Sequence, residues 1–434
     1  MIMSKTEAQT IGEKVLKMVS ADDAVVNVGH GRNATTRFAN NTIIHNVFTE
    51  SRGVSITVAF GNKTGSSGTN QLDDESLLSM VRRAEDIARL APPDPEYLPP
   101  LGPQKYLEVK AHFDSTAKLS PDDRANLAMQ MIEPSRKESL VASGTVECSE
   151  RASSLMTSNG LCAYHPRTDV QIGCTITSPN STGWARDVTV DVSRIKPSEL
   201  AQSAIQQAKR AANPRTMPPG KYTVVLQPAA GALLASYLLM WANARTTKEG
   251  LTYLSDKLGQ KLAGDDINIY TDPQDERFPT SPFSGEGLPN KRITWVNKGV
   301  FDQLSWDRWT AHKDGVEPVS RSNHAIMIGT DKTTEELISN VERGILVTHF
   351  WYVRSVKSDE TLVTGMTRDG TFYIEDGKIQ YGVKNFRFNE SCLGMLQRTI
   401  AIGKPGSCVD VELEPSLFPP LVVTDWNFVS TTDF

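Results

Sequence analysis

The chain has 434 residues, 39% of them hydrophobic and 22% charged, with a formal net charge of -5. That length exceeds one ordinary core and implies two domains, and the acidic balance leaves no basic footprint for nucleic acid. Five scattered cysteines (148, 162, 174, 392 and 408) with no Cys-x-x-Cys pair exclude a disulfide framework and point to reduced thiols in the cytoplasm.

The opening MIMSKTEAQTIGEKVLKMV has no long apolar run, so neither a signal peptide nor a membrane anchor is expected. It reads as an amphipathic helix with Ile11, Val15, Leu16 and Val19 on one side. Short strand-like runs follow at 24–28, 35–39, 42–48 and 54–60, separated by Asn and Gly turns in the rhythm of an antiparallel meander. Among them, Gly29-His30-Gly31-Arg32-Asn33-Ala34 fits a dinucleotide fingerprint. That motif works only where a helix opens after it, and TTRFANNTIIHNV reads as strand, so a hairpin turn is predicted instead. The serine-rich TGSSGTN at 64–70 reads as a flexible loop.

A helix is expected over 74–90, stopped by the proline-rich APPDPEYLPPLGP. Another begins at Ser120-Pro121-Asp122-Asp123, with a serine cap, proline in the first turn and two acids at the positive end of the dipole. Val170, Ile172, Cys174 and Ile176 form one apolar face, and Val188, Val190 and Val192 another, so the two runs pair as an antiparallel hairpin. A further capped helix starts near Pro197-Ser198. The Pro- and Gly-rich 213–220 marks the domain boundary, giving an N-terminal domain over 1–213 and a C-terminal domain over 220–434. Beyond it, Asp369-Gly370 and Asp376-Gly377 flank TFYIE as hairpin signals. The fold class expected is α+β: a mixed N-terminal domain with an antiparallel sheet and helices, then a mostly β C-terminal domain.

The seven histidines bear on metal chemistry. No two lie within helical reach of each other and none is followed by glutamate, so no local zincin motif forms. His312 and His324 flank DGVEPVSRSN and would have to converge from loops. The run Thr348-His349-Phe350-Trp351-Tyr352-Val353-Arg354 reads as a strand of the domain core with one half-exposed face. On its functional reading, Tyr352 and Arg354, with Arg368, line a cleft for an extended peptide held by strand addition.

Residues 224–241, VVLQPAAGALLASYLLMW, read as a buried strand, a Pro-Ala-Ala-Gly turn and an apolar helix. With RFANNTI (37–43), TTKEGLTYLSDKLGQKLA (246–263), TGMTRDGTFYIEDGKIQYGVKNFRF (364–388) and PPLVVTDWNF (419–428), they make the chain resemble the TldD/PmbA family across nearly its whole length. Catalytic members of that family carry His-Glu-x-x-x-His on this helix after a Gly-x-Leu-Leu lead-in. Here the lead-in is Gly231-Ala232-Leu233-Leu234, and the motif positions hold Ala235, Ser236 and Met240. Alanine and methionine do not replace imidazole on zinc, and serine is no carboxylate base. The family's thiolate ligand comes from near the C-terminus, where this chain has Cys408, followed by Val409-Asp410 in place of Gly-Lys; it is read as a relic or an ordinary thiol.

The resemblance therefore implies the TldE/PmbA-like branch: a metal-free subunit with no catalytic residues and no cofactor of its own. It would pair with a zinc-bearing TldD-type subunit and form the non-catalytic wall of a chamber in which unfolded peptides are cut. Parts of this family are labelled modulators of DNA gyrase, a role the acidic composition does not support through direct DNA contact. A different class of function stays open, a stand-alone homodimer that binds peptides or another ligand without hydrolysing them.

Overall fold

The computed structural model describes residues 2–320, 324–406 and 415–432. Helix α1 (Lys5–Lys17) starts at a capping box between Ser4 and Glu7. Two long strands follow, β1 (Asp23–Ala39) and β2 (Thr42–Phe60). Asn40 and Asn41 join them at φ 50° and 60°, the two left-handed residues that a tight hairpin turn requires. Next come β3 (Lys63–Thr69), α2 (Asp74–Leu90, capped by Asp73), the short α3 (Asp114–Ala117) and α4 (Pro121–Lys137), where the expected serine cap at Ser120 is closed by Asp123 into a capping box. Strands β4 (Val141–Thr157), β5 (Cys162–Ser178) and β6 (Ser181–Thr189), then α5 (Pro197–Arg210), complete the first half.

The six strands form one antiparallel sheet in the order β3-β2-β1-β4-β5-β6. Even-numbered residues of β1, β2, β4 and β5, such as Val26, Phe38, Ile56, Val146 and Ile172, pack against α1, α2, α4 and α5. Because side chains alternate, the odd-numbered ones face the other way and form a sheet surface with no helix of this half on it.

Several local expectations need correction. Residues 29–34 are not a turn; they run straight through β1, paired to β2 on one side and β4 on the other. Ladder bonds on both edges outweigh the turn tendency of two glycines. Residues 64–70 are not a flexible loop either, since 63–69 form β3. There Gly65 lets α2 approach, for a Cβ would lie 2.2 Å from the Ala84 carbonyl oxygen. Strand β6 ends at Thr189, so Val190 and Val192 lie outside it, and Val188 faces away from the helices toward Phe278, Ile326 and Leu417. Helix α5 has Lys196 at its N-cap and no side-chain cap bond.

The second half opens with β7 (Gly220–Leu226) and α6 (Pro228–Trp241). Pro-Ala-Ala-Gly is thus the first turn of the helix itself rather than a separate turn. Short elements follow: α7 (Ala244–Lys248), β8 (Ile269–Thr271), β9 (Ile293–Asn297), β10 (Val300–Phe301), α8 (Arg308–Asp314), β11 (Ile326–Met327) and α9 (Thr334–Ser339). Then come β12 (Arg343–Lys357), β13 (Leu362–Glu375), β14 (Lys378–Gly382), β15 (Phe386–Ser391), α10 (Cys392–Gln397), β16 (Thr399–Ile402) and β17 (Leu421–Thr431).

Strand β12 pairs with both β7 and β13, so the path β12-β7-β17-β15-β13 returns on itself as a closed five-stranded ring. Stacked rings fill its core: Phe350 lies 5.3 Å from Trp426 and 4.4 Å from Phe388, and Phe386 lies 4.5 Å from Phe428. Asp376-Gly377 makes the expected turn into β14. Asp369-Gly370 instead stays inside β13 as an irregularity opposite Thr348, which a turn reading does not anticipate. Among the described residues no helix is long and apolar enough to cross a membrane.

The two halves meet on the helix-free face of the first sheet. Thr182 donates to Asp369 at 2.6 Å, Trp184 stacks on His349 at 4.3 Å, and Tyr106 donates to the Gly287 carbonyl at 2.8 Å.

Candidate functional site

Helix α6 is apolar all round, and such a helix belongs in a core. It packs against β12 and α10. Gly231 permits close approach, since a Cβ there would lie 3.1 Å from the Phe418 ring. Ala235 is wholly buried, while Ser236 turns its hydroxyl back to the Ala232 carbonyl at 2.9 Å and Met240 is half-buried. These side chains do not fit a zinc ion: none supplies an imidazole, thiolate or carboxylate. Among the described residues no three His, Cys, Asp or Glu side chains group as a metal site needs. Cys408 lies outside the described residues.

The histidines take separate structural roles. His312 is exposed on α8, whereas His324 is buried, 5.0 Å from the Phe278 ring, with Nδ1 2.7 Å from the Pro415 carbonyl oxygen. His165, His324 and His349 are each pushed down to about 4, in every case chiefly by burial. For His349 the Asp369 carboxylate, 3.6 Å away, works in the opposite sense and loses. His30 accepts from the Met3 amide on Nδ1, which leaves Nε2 to donate to Glu50 at 2.9 Å.

The three candidate cleft residues do come together, on the outside of the ring. Between Trp351 and Arg354 the ladder to β13 slips, and Tyr352 sits at φ 53°, a left-handed conformation that is strained for an aromatic residue. The bulge breaks alternation, so Trp351 and Tyr352 both point outward, 43% and 53% exposed, between buried Phe350 and Val353. Arg354 lies over Tyr352 at 4.3 Å, and Arg368 over Trp351 at 4.9 Å. Sequence reasoning missed Trp351, because a regular strand would have turned one of the two adjacent aromatics inward. The Val353 carbonyl already accepts from Tyr237 at 2.8 Å and from Arg354 at 2.6 Å. At that point the rim offers stacked cation–aromatic pairs rather than a bare backbone edge for strand addition.

A second concavity, of about 610 Å3, lies where the halves meet. Its floor is the helix-free face of β1, β4 and β5, with Asn33, Glu147, Ser149, Arg151, Arg167 and Asp169. Its wall is the 278–290 segment with His324. No local motif advertises this site; the only sequence signal is the run of odd-numbered polar residues on strands whose even positions are apolar.

Two family descriptions match the chain, PmbA/TldA metallopeptidase domain 1 over residues 24–88 and the PmbA/TldA metallopeptidase C-terminal domain over 219–430. The chain is 21% identical to the metalloprotease PmbA of Escherichia coli O157:H7, over 86% of this chain and 85% of that protein. It is 26% identical to a metalloprotease of Methanothermobacter thermautotrophicus, over 47% of this chain and 48% of the other. In structure it is similar to TldE from Thermococcus kodakarensis, with a TM-score of 0.89, 19% identity and coverage of 98% and 99% of the two chains.

Proposed function

Because the chain belongs to the PmbA/TldD metallopeptidase family, we propose that it is a metal-free subunit of a cytoplasmic two-subunit zinc peptidase acting on unfolded peptides. The zinc would be held by a TldD-type partner. The observation that carries this reading is the closed packing of α6. A zinc helix must present its ligands to a cavity, but here the first motif position, Ala235, has no exposed surface. This subunit's contribution is then to hold peptide. Exposed aromatic faces backed by guanidinium groups suit an extended chain of mixed sequence, since stacking is tolerant of side-chain identity and cation–aromatic contacts add about 0.5–1 kcal/mol at exposed sites.

The test is purification from the native host with zinc measured in each species. The expected result is a complex with a partner bearing His-Glu-x-x-x-His, zinc in that partner alone, and peptide cleavage that requires both. Stoichiometric zinc in this chain, or its recovery only as a homodimer with no such partner, overturns the proposal. Within the complex, Trp351→Ala and Arg368→Ala should raise KM for peptide with little change in kcat, as loss of uniform binding does.

A further inference from the structure

We propose that the concavity between the two halves is a second peptide site, one that takes a free oligopeptide of about four residues and grips both of its charged ends. Glu147 and Arg151 both lie on its floor, on β4. Four residues apart on one strand, they share a face and stand about 13 Å from each other. Among the described residues the Glu147 side chain makes no hydrogen bond or ion pair, and the Arg151 guanidinium approaches Asn33 only at 3.5 Å, longer than a good hydrogen bond. Their floor neighbours differ, for Arg167 and Asp169 neutralise each other at 2.6 Å. The floor is thus left with one uncompensated carboxylate at one end and one guanidinium at the other.

An extended peptide advances about 3.3 Å per residue, so about four residues bring its ammonium group to Glu147 and its carboxylate to Arg151. His324 belongs to the wall. A carbonyl oxygen only accepts, so the bond to Pro415 places the ring proton on Nδ1 and leaves a lone pair on Nε2. That nitrogen is itself buried with no partner, so the ring shapes the wall of the cavity and the two charged ends carry the recognition. The volume falls in the range of small-ligand sites.

The inference rests on the peptide-binding reading only for choosing peptides over other zwitterions. Its test uses the purified chain alone, so failure to find a zinc-bearing partner would defeat the earlier proposal without touching this one. Calorimetric titration would compare tetra-alanine, its N-acetyl form, its C-terminal amide and di-alanine. Wild type should prefer free tetra-alanine, with each cap weakening binding at least about tenfold, the scale of one lost charge contact. Glu147→Gln should weaken free tetra-alanine similarly and abolish the penalty for acetylation. Arg151→Gln should abolish the penalty for the amide. Arg151 is exposed and Glu147 half-buried, and circular dichroism with thermal melting would confirm that both variants fold. Equal affinity for capped and free peptides, retention of the acetyl penalty in Glu147→Gln, or no binding of free tetra-alanine at roughly 10 mM overturns the proposal.

Discussion

If α6 has become a packing element, rebuilding the family motif on it should damage the fold rather than restore a metal site. Ala235→His is the decisive step, because Ala235 has 0% exposure within the core of the second half. The imidazole adds five heavy atoms to a closed space, and overpacking of that kind costs about 1–3 kcal/mol. Its ring nitrogens would enter surroundings of leucine and aromatic side chains, and an unpaired buried polar group costs about 1–3 kcal/mol more. The sum, roughly 2–6 kcal/mol, should lower Tm by about 5–20 °C for a unit of this size. Ser236→Ala removes only a hydroxyl bonded within its own helix, and should stay within about 0.5 kcal/mol of wild type. Thermal melting followed by circular dichroism, with zinc titrated into the triple variant Ala235→His, Ser236→Glu, Met240→His, measures both quantities. A triple variant that melts like wild type and binds one zinc tightly would refute the argument, because it would show a preserved cavity at Ala235.

Tyr237→Phe removes the donor to the Val353 carbonyl and should cost about 1 kcal/mol, with faster amide exchange localised to the 351–354 bulge; exchange unchanged there would mean that the bulge holds itself. Gly65→Ala would place a Cβ 2.2 Å from the Ala84 oxygen and 2.4 Å from the Ala88 nitrogen. Both are backbone atoms that cannot swing aside, so a loss of about 1–3 kcal/mol in urea unfolding is expected. The buried His165, His324 and His349 have folded-state pKa values near 4, below the unfolded value of about 6.5. Their contribution is therefore complete above about pH 6.5 and is lost as pH falls toward 4, each imidazole costing roughly 2 kcal/mol of stability by pH 5. Urea midpoints should drop between pH 7 and pH 5, and less so in His165→Asn; a flat profile over that range would contradict the burial of these rings.

Much of the architecture was already readable in the chain. Helix α4 begins at the residue its serine cap and first-turn acids indicate, and α2 spans the expected 74–90. The even-numbered apolar residues of β5 do form one covered face. The apolar helix after β7 is where a residue string with no polar face must go. These features are local: a cap, a period or an all-round apolar surface acts within a few residues of itself.

Where reading failed, distant partners decided. The glycines at 29 and 31 look like a turn until β2 and β4 pair along both edges of the strand that carries them. The serine-rich 64–69 looks like a loop until α2 closes on Gly65. Trp351 faces solvent because β12 slips one residue against β13, a register choice made by two strands together. The charged ends of the cleft floor are ordinary residues of β4 in sequence. They line one concavity only because the 278–290 segment and His324 fold against them. What the sequence determined alone was the absence on α6: no arrangement of neighbours turns alanine, serine and methionine into a zinc-binding triad. Tertiary structure decided how that helix is used, because only packing fixes whether a helix face lines a cavity or closes into core, and at Ala235 it is closed.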